Sequence, residues 1–266
     1  TPRDVSIISL QDQNDIFNSP GYFYTPYGVM NPYYILENYL NEYDAERFYG
    51  KFQVDYDFLK YFKFTYRMGL DTTTGQSNRG EPNLYALFYE GTPNGEGMGS
   101  NSPFYGKEGS YSQQITRRRE INQDLLSSFS MPINDFQINA LAGFNGNERK
   151  YSYLYSSVSK LTIPTWYNLS NSAATPTVEQ YLSLRRLMGV FGQVDLSWRN
   201  MLYVTLTARN DWSSTLPLDN CSYFYPSFGA TFIFTDAFKI KSPILSFGKI
   251  RASFAYAGSD TDPYRI

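Results

Sequence analysis

The 266-residue sequence has no histidine and a single cysteine, Cys221. Without histidine, the commonest general base and the commonest metal ligand are both missing. One cysteine excludes an intrachain disulfide or a cysteine-based zinc site within these residues. Beside Tyr223, Cys221 reads as a small packed hydrophobe. No run approaches 18 uncharged apolar residues, so no segment is a candidate transmembrane helix, and the opening Thr1-Pro2-Arg3-Asp4 carries no signal-peptide pattern. A net charge of −2 supplies no basic field to hold a phosphate backbone, which argues against nucleic acid as a partner. Gly-rich phosphate loops, nucleophile elbows and metal-ligand spacings are also absent. Aromatic side chains, by contrast, make up 18% of the chain, as 25 Tyr, 20 Phe and only 3 Trp. Aromatic content in an otherwise polar chain suits a sheet that is wet on one side and greasy on the other.

The segment from Arg47 to Asp71 shows that arrangement most clearly. Phe48, Gly50, Phe52, Val54 and Tyr56 fall on one face of a period-two run, with Tyr49, Lys51, Gln53, Asp55 and Asp57 on the other. After a very short turn, Phe62, Phe64, Tyr66, Met68 and Leu70 share a face opposite Lys63, Thr65, Arg67, Gly69 and Asp71. Each run is about 10 residues, the length a strand tilted near 45° needs to cross the apolar part of a bilayer. A long stretch dense in Gly, Asn, Ser and Pro follows, from Asp71 through Gly80, Gly91, Pro93, Gly95, Gly97 and Gly99 to Gly109, and has loop composition.

Six further strands are predicted. The third, near Tyr111 to Leu126, alternates less cleanly and puts Arg117 and Arg119 on the supposed lipid face. An Arg at the bilayer midplane costs roughly 2–4 kcal/mol and little at the interface, which places both above the membrane boundary. The fourth carries Phe136, Ile138, Ala140, Ala142 and Phe144, and the fifth Met188, Val190, Gly192, Val194 and Leu196. The sixth carries Leu202, Val204, Leu206 and Ala208, the seventh Phe228, Ala230, Phe232 and Phe234, and the eighth Ile250, Ala252, Phe254 and Tyr256.

The first five links run to about 5, 39, 9, 34 and 3 residues, so short and long alternate. Outer-membrane barrels have short periplasmic turns and longer extracellular loops. On that rule both ends of the chain lie outside, which marks it as an interior piece of a larger barrel. The fold class is therefore all-β: antiparallel transmembrane barrel strands with long extracellular loops and short periplasmic turns. The links around Trp212 to Ser222 and Thr235 to Gly248 fit the rule poorly.

A family resemblance becomes specific between Arg185 and Tyr256. Arg185-Arg186, Phe191-Gly192-Gln193-Val194 and the run Tyr203 to Ser214, ending Arg209-Asn210-Asp211-Trp212-Ser213-Ser214, resemble SusC/RagA-type TonB-dependent outer-membrane transporters. Trp212 stands where that family's Arg-x-Asp-Gly-Ser-Ser has Gly. Tyr225-Pro226-Ser227-Phe228, Lys249-Ile250-Arg251-Ala252-Ser253-Phe254 with Gly258, Asn31-Pro32-Tyr33-Tyr34 and Tyr66 to Asp71 are similar as well. The resemblance implies a barrel of roughly 22 strands with a plugged lumen in the bacterial outer membrane. It implies a SusD-like surface lipoprotein as lid, energy delivered through the TonB complex, and import of oligosaccharide or, in the RagA branch, peptide. It implies no cofactor and no enzymatic activity. Residues 1–266 would then belong to one barrel domain, with the plug domain and TonB box elsewhere.

Candidate site residues follow from both lines. Lys51, Asp55, Lys63, Arg67, Arg209, Asp211 and Arg251 are expected on the polar, lumen-facing side. Asp55 with Asp57, or Arg209 with Asp211, could suggest paired acid and base work, but a polar lumen wall accounts for both. Arg117, Arg118 and Arg119 could grip an anionic substrate or simply end a strand in water. Tyr33, Tyr34, Trp166, Tyr167 and Trp212, along with Tyr22, Tyr24 and Tyr27, are expected in outer loops, where rings could stack on sugars, meet a lid protein or pack the loops. Other classes stay open: a stand-alone eight-stranded adhesin or carbohydrate-binding β protein, and a barrel hydrolase, against which the lack of histidine weighs.

Overall fold

The structure is a computed structural model and describes residues 6–15, 18, 30–88, 107–240 and 244–258. Tyr22, Tyr24, Tyr27 and the glycines between Gly91 and Gly99 lie outside the described residues. Eight antiparallel strands form one sheet in strict chain order. They are β1 (Leu40–Phe58), β2 (Phe62–Glu81), β3 (Ser110–Ile133), β4 (Phe136–Ser159), β5 (Thr177–Trp198), β6 (Leu202–Ser213), β7 (Ser222–Phe232) and β8 (Ile250–Ala255). Among the described residues, the short helix α1 (Pro32–Asn38) precedes β1, α2 (Leu84–Phe88) lies between β2 and β3, and α3 (Phe234–Ala237) lies between β7 and β8. No described helix is long and apolar enough to cross a membrane.

Several strands are longer than the alternation predicts, whereas β7 stops at Phe232, leaving Phe234 to α3, and β8 stops at Ala255, short of Tyr256. Loop composition has the chain leave the sheet after Asp71, yet β2 runs on through Thr72, Thr73 and Thr74 to Glu81. The links near Met131 and Pro132 also belong to β3, which has 24 residues. Alternation is a record of one face meeting hydrocarbon. Where both faces meet water, backbone pairing and β-branched residues still hold a strand, but the period-two signal fades.

Two compact units are distinguished, each built from parts of the same long strands: the described parts of Thr1–Glu46, Thr74–Arg117 and Ser152–Tyr181, and those of Arg47–Thr73, Arg118–Tyr151 and Leu182–Ile266. In the second unit the tight reversals at residues 59–61, 134–135 and 199–201 use left-handed backbone at Leu59, Asn134, Arg199 and Asn200. These turns are stitched together: the Arg199 N–H donates to the Asp135 carbonyl at 2.8 Å, and its guanidinium meets the Asp135 carboxylate at 2.6 Å. The pairing of β5 with β6 sets Leu196 opposite Val204 and Asp195 opposite Thr205. That of β6 with β7 sets Leu206 opposite Phe228, and β7 with β8 sets Phe228 opposite Phe254. Cross-strand partners share a face, so one side of the sheet is apolar from β5 to β8 and the other polar.

The first unit holds the small buried core. Leu10, Leu84 and Leu161 are almost fully enclosed. Asn31 caps α1 by accepting from the Tyr33 N–H at 2.9 Å, with Pro32 in the first helical position where its missing N–H costs nothing. That pair accounts physically for the Asn-Pro-Tyr-Tyr run. Gly109 adopts φ +76°, and a Cβ there would meet the Asn83 backbone nitrogen at 2.7 Å. Only glycine brings β3 in this close beside residues 82–83.

Candidate functional site

The polar face of the second unit is a ladder of charged pairs. Asp55 accepts from Thr65 at 2.5 Å and Gln53 at 2.8 Å, and Lys63 approaches it at 3.6 Å. Arg67 pairs with Asp124 at 3.1 Å, and Asn145 donates to the same carboxylate at 2.6 Å. Glu120 holds Arg149 at 3.1 Å and Asn147 at 2.8 Å. Arg209 reaches Asp211 at 2.8 Å and lies 5.5 Å above the Phe191 ring. Lys51, Asp55, Lys63, Arg67, Arg209, Asp211 and Arg251 all fall on this face by strand alternation, Arg251 opposite Thr231. Of the Asp55 and Asp57 pair, Asp55 is engaged as a cross-strand acceptor. No group of three or more potential metal-ligating side chains occurs among the described residues.

One motif escapes a reading by alternation. Gln53-Val54-Asp55 on β1 and Gln193-Val194-Asp195 on β5 each place the Asp opposite a Thr on the next strand. Thr205 donates to Asp195 at 2.6 Å and Gln193 at 2.7 Å, repeating the Asp55 arrangement. The signal was available as a Gln-Val-Asp tripeptide repeated before two short turns. A cavity of about 810 Å3 opens on the same polar face, lined by Arg47, Asp71, Arg118, Glu120, Arg149 and Tyr151. Arg47 holds Asp71 at 2.6 Å, while Arg118 lies over the Tyr151 ring at 5.4 Å. Water, sugar hydroxyls or peptide groups would all be matched there.

The opposite face of this unit is greasy but has one charged exception. A shallow groove of about 780 Å3 has Ala140, Ala142, Gly192 and Ala208 between the larger Phe62 and Phe228. Phe62 and Phe129, both in its lining, pack tilted with ring centroids 5.0 Å apart. On that face, Arg119 meets Glu148 at 2.9 Å and Arg186 meets the same carboxylate at 2.8 Å. Arg118, one residue from Arg119, points to the polar side.

The expected loop aromatics have several fates. Tyr34 is 7% exposed and packs with Leu84. Tyr167 stacks on Tyr111, packs beside Leu161 and donates its hydroxyl to the Asn38 carbonyl. Burial pushes the Tyr34 phenol up to about 12 and also raises Tyr167 and Tyr39. Tyr33 is half-buried on α1, and Trp166 is 46% exposed. Trp212 is not in a loop: it ends β6, opposite Met188, on the apolar side. Where a tight Gly turn would fall, the strand continues and Ser214 accepts from the Arg186 N–H at 2.8 Å. Arg117 lines a small cleft of about 230 Å3 in the first unit with Gln180 and Ser152.

An antiparallel sheet with a polar and an apolar side defines the wall of a transmembrane-type β-barrel; three of its links at one end are tight turns, while the fourth at that end, residues 233–249 with α3, breaks the alternation of long and short. Known proteins narrow this. The chain is 23% identical over 242 residues to TonB-dependent receptor P3 of Formosa agariphila, covering 89% of this chain and 22% of the relative. It is 32% identical over 102 residues to TonB-dependent receptor P26 of the same organism, covering 37% of this chain and 10% of the relative. The solved structure of the RagAB peptide transporter matches with a TM-score of 0.72 at 16% identity, over 85% of this chain and 24% of that one. The RagAB peptide importer in its open-open state matches at 0.68 and 18% identity, again over 24% of its chain. No protein-family model matches. The chain spans about a fifth or less of the relatives' length. In sequence the chain is similar to TonB-dependent receptors, and its fold matches part of the RagAB transporter, as SusC/RagA-type kinship leads one to expect. Such receptors are not enzymes.

Proposed function

We propose that the chain is part of the barrel wall of a bacterial outer-membrane transporter that imports a bulky nutrient with energy delivered through TonB. The two-sided sheet carries this reading: hydrocarbon lies against Phe62, Phe64, Val204, Leu206 and Phe232, and a wet lumen lies behind them. Residues 1–266 form part of one barrel domain, completed by strands, a plug and a TonB box outside these residues. Extracellular loops capture the cargo, the polar ladder lines its path, and the plug moves under force. A SusD-like lipoprotein serves as the lid, and Tyr33, Trp166 and other exposed loop rings are the surfaces offered to lid or cargo. Oligosaccharide is the cargo on this reading. The likeness to a RagAB peptide importer favours peptide as the second reading. The test is uptake by cells carrying the whole receptor, with labelled oligosaccharide and labelled peptide mixtures supplied in parallel. Uptake of one mixture is expected to stop when TonB is deleted; uptake of both that persists without TonB overturns the proposal.

A further inference from the structure

The ion triad on the greasy face is the least expected feature of the sheet. Arg119, Glu148 and Arg186 come from three adjacent strands and share the side that carries Phe129, Phe144, Met188 and Val190. The face is fixed by pairs on the other side: Asp124 meets Arg67 and Asn145, and Glu120 meets Arg149, so the odd positions of β3 and the even positions of β4 point away from the lumen. Lys150 falls on the same face by alternation. The triad sits about a dozen residues from the tight-turn ends of its strands, just past the ~9–11 that a tilted strand uses to cross hydrocarbon. It therefore lies in the headgroup layer on the long-loop side.

One carboxylate there is shared by two guanidiniums, so the triad is net positive. Arg119 uses Nη2 and Arg186 uses Nε on Glu148, which leaves further N–H donors on each fork. Planar forks of this kind match phosphate oxygens, and Glu148 holds the two forks side by side.

We infer that Arg119, Arg186 and Lys150, held in place by Glu148, form a docking site for the phosphate of an outer-leaflet lipid headgroup. This rests on the transporter reading above, which sets the long loops outside. The lipid's chains then run down the greasy face, over Phe144 and Val190 toward the small-residue groove.

The test uses the whole receptor purified in non-ionic detergent and two probes, a bisphosphorylated lipid A and its dephosphorylated form, with retention read by native mass spectrometry. The phosphorylated lipid is expected to be held at least about tenfold more tightly, as charge-assisted contacts require. The triple exchange Arg119→Gln, Glu148→Gln and Arg186→Gln is expected to abolish that preference, and Lys150→Gln to weaken it. Equal retention of the two lipids by the unaltered receptor, which needs no variant, overturns the inference. So does a preference that survives the triple exchange. TonB-dependent uptake by the triple variant is measured alongside. If uptake proceeds while the lipid preference is missing, only this inference falls; if the unaltered receptor shows no TonB-dependent uptake, the transporter reading falls first.

Discussion

At the scale of single residues, the aromatic rings outside the sheet divide into those that pack, such as Tyr34 and Tyr167, and those that stay exposed, such as Trp166. Tyr167 is held among Tyr111, Leu161 and the Asn38 carbonyl because Gly80, on β2, leaves room for its ring. A Cβ at Gly80 would meet the Tyr167 ring at 2.5 Å. Gly80→Ala is therefore expected to expel Tyr167, cost about 1–3 kcal/mol locally through overpacking, and expose residues 160–176 to limited proteolysis. Trp166→Ala, at an exposed ring, should leave the proteolysis pattern unchanged. The buried phenols also give a pH signature. An unfolded tyrosine ionises near 10, whereas Tyr34 does so at about 12, so between those values the folded state keeps a proton that the unfolded state has lost. The stabilisation is complete below pH 10 and declines as pH rises through that window. Phenolate absorbance should show a late-titrating fraction that Tyr34→Phe reduces.

At the scale of elements, the alternating faces make opposite demands on neighbouring residues of one strand. Leu206 is 47% exposed on the apolar side, and Thr207 lies on the polar side opposite Ser227. Leu206→Arg is expected to cost about 2–4 kcal/mol near the membrane midplane and to lower the amount of assembled receptor in outer-membrane fractions. Thr207→Arg should assemble at normal levels. The alternation was legible for this reason: Leu202, Val204, Leu206 and Ala208 announce a lipid face by themselves. Strand ends were not legible. Thr72 to Glu81 belong to β2 and Leu182 to Leu187 to β5 without a clean apolar alternation, and no single-chain pattern reports a partner's backbone. The cross-strand pairs were equally hidden, because whether Asp195 meets Thr205 depends on register, set by a turn at residues 199–201.

At the scale of the whole molecule, β1 and β8 stand at the two ends of the strand order. In hydrocarbon each unpaired N–H or C=O on such an edge costs several kcal/mol, which is why the proposed reading calls for further strands beside β1 and β8. Residues 1–266 expressed alone are expected to aggregate or to stay protease-sensitive in detergent. The whole receptor should migrate as a heat-modifiable, protease-resistant barrel on gels. A heat-modifiable barrel from residues 1–266 alone would favour the stand-alone adhesin class instead.

The sequence by itself determined the number of strands, which side of each is apolar, the alternation of long and tight links as far as β6, and the likeness to TonB-dependent receptors. These are legible because period two and link length are local properties, set by the environment each face meets. Tertiary structure decided which aromatic rings are buried, how far each strand runs, and that Arg119, Glu148 and Arg186 form one triad. Those depend on register between strands far apart in the chain, and a one-residue slip would send every side chain to the other face.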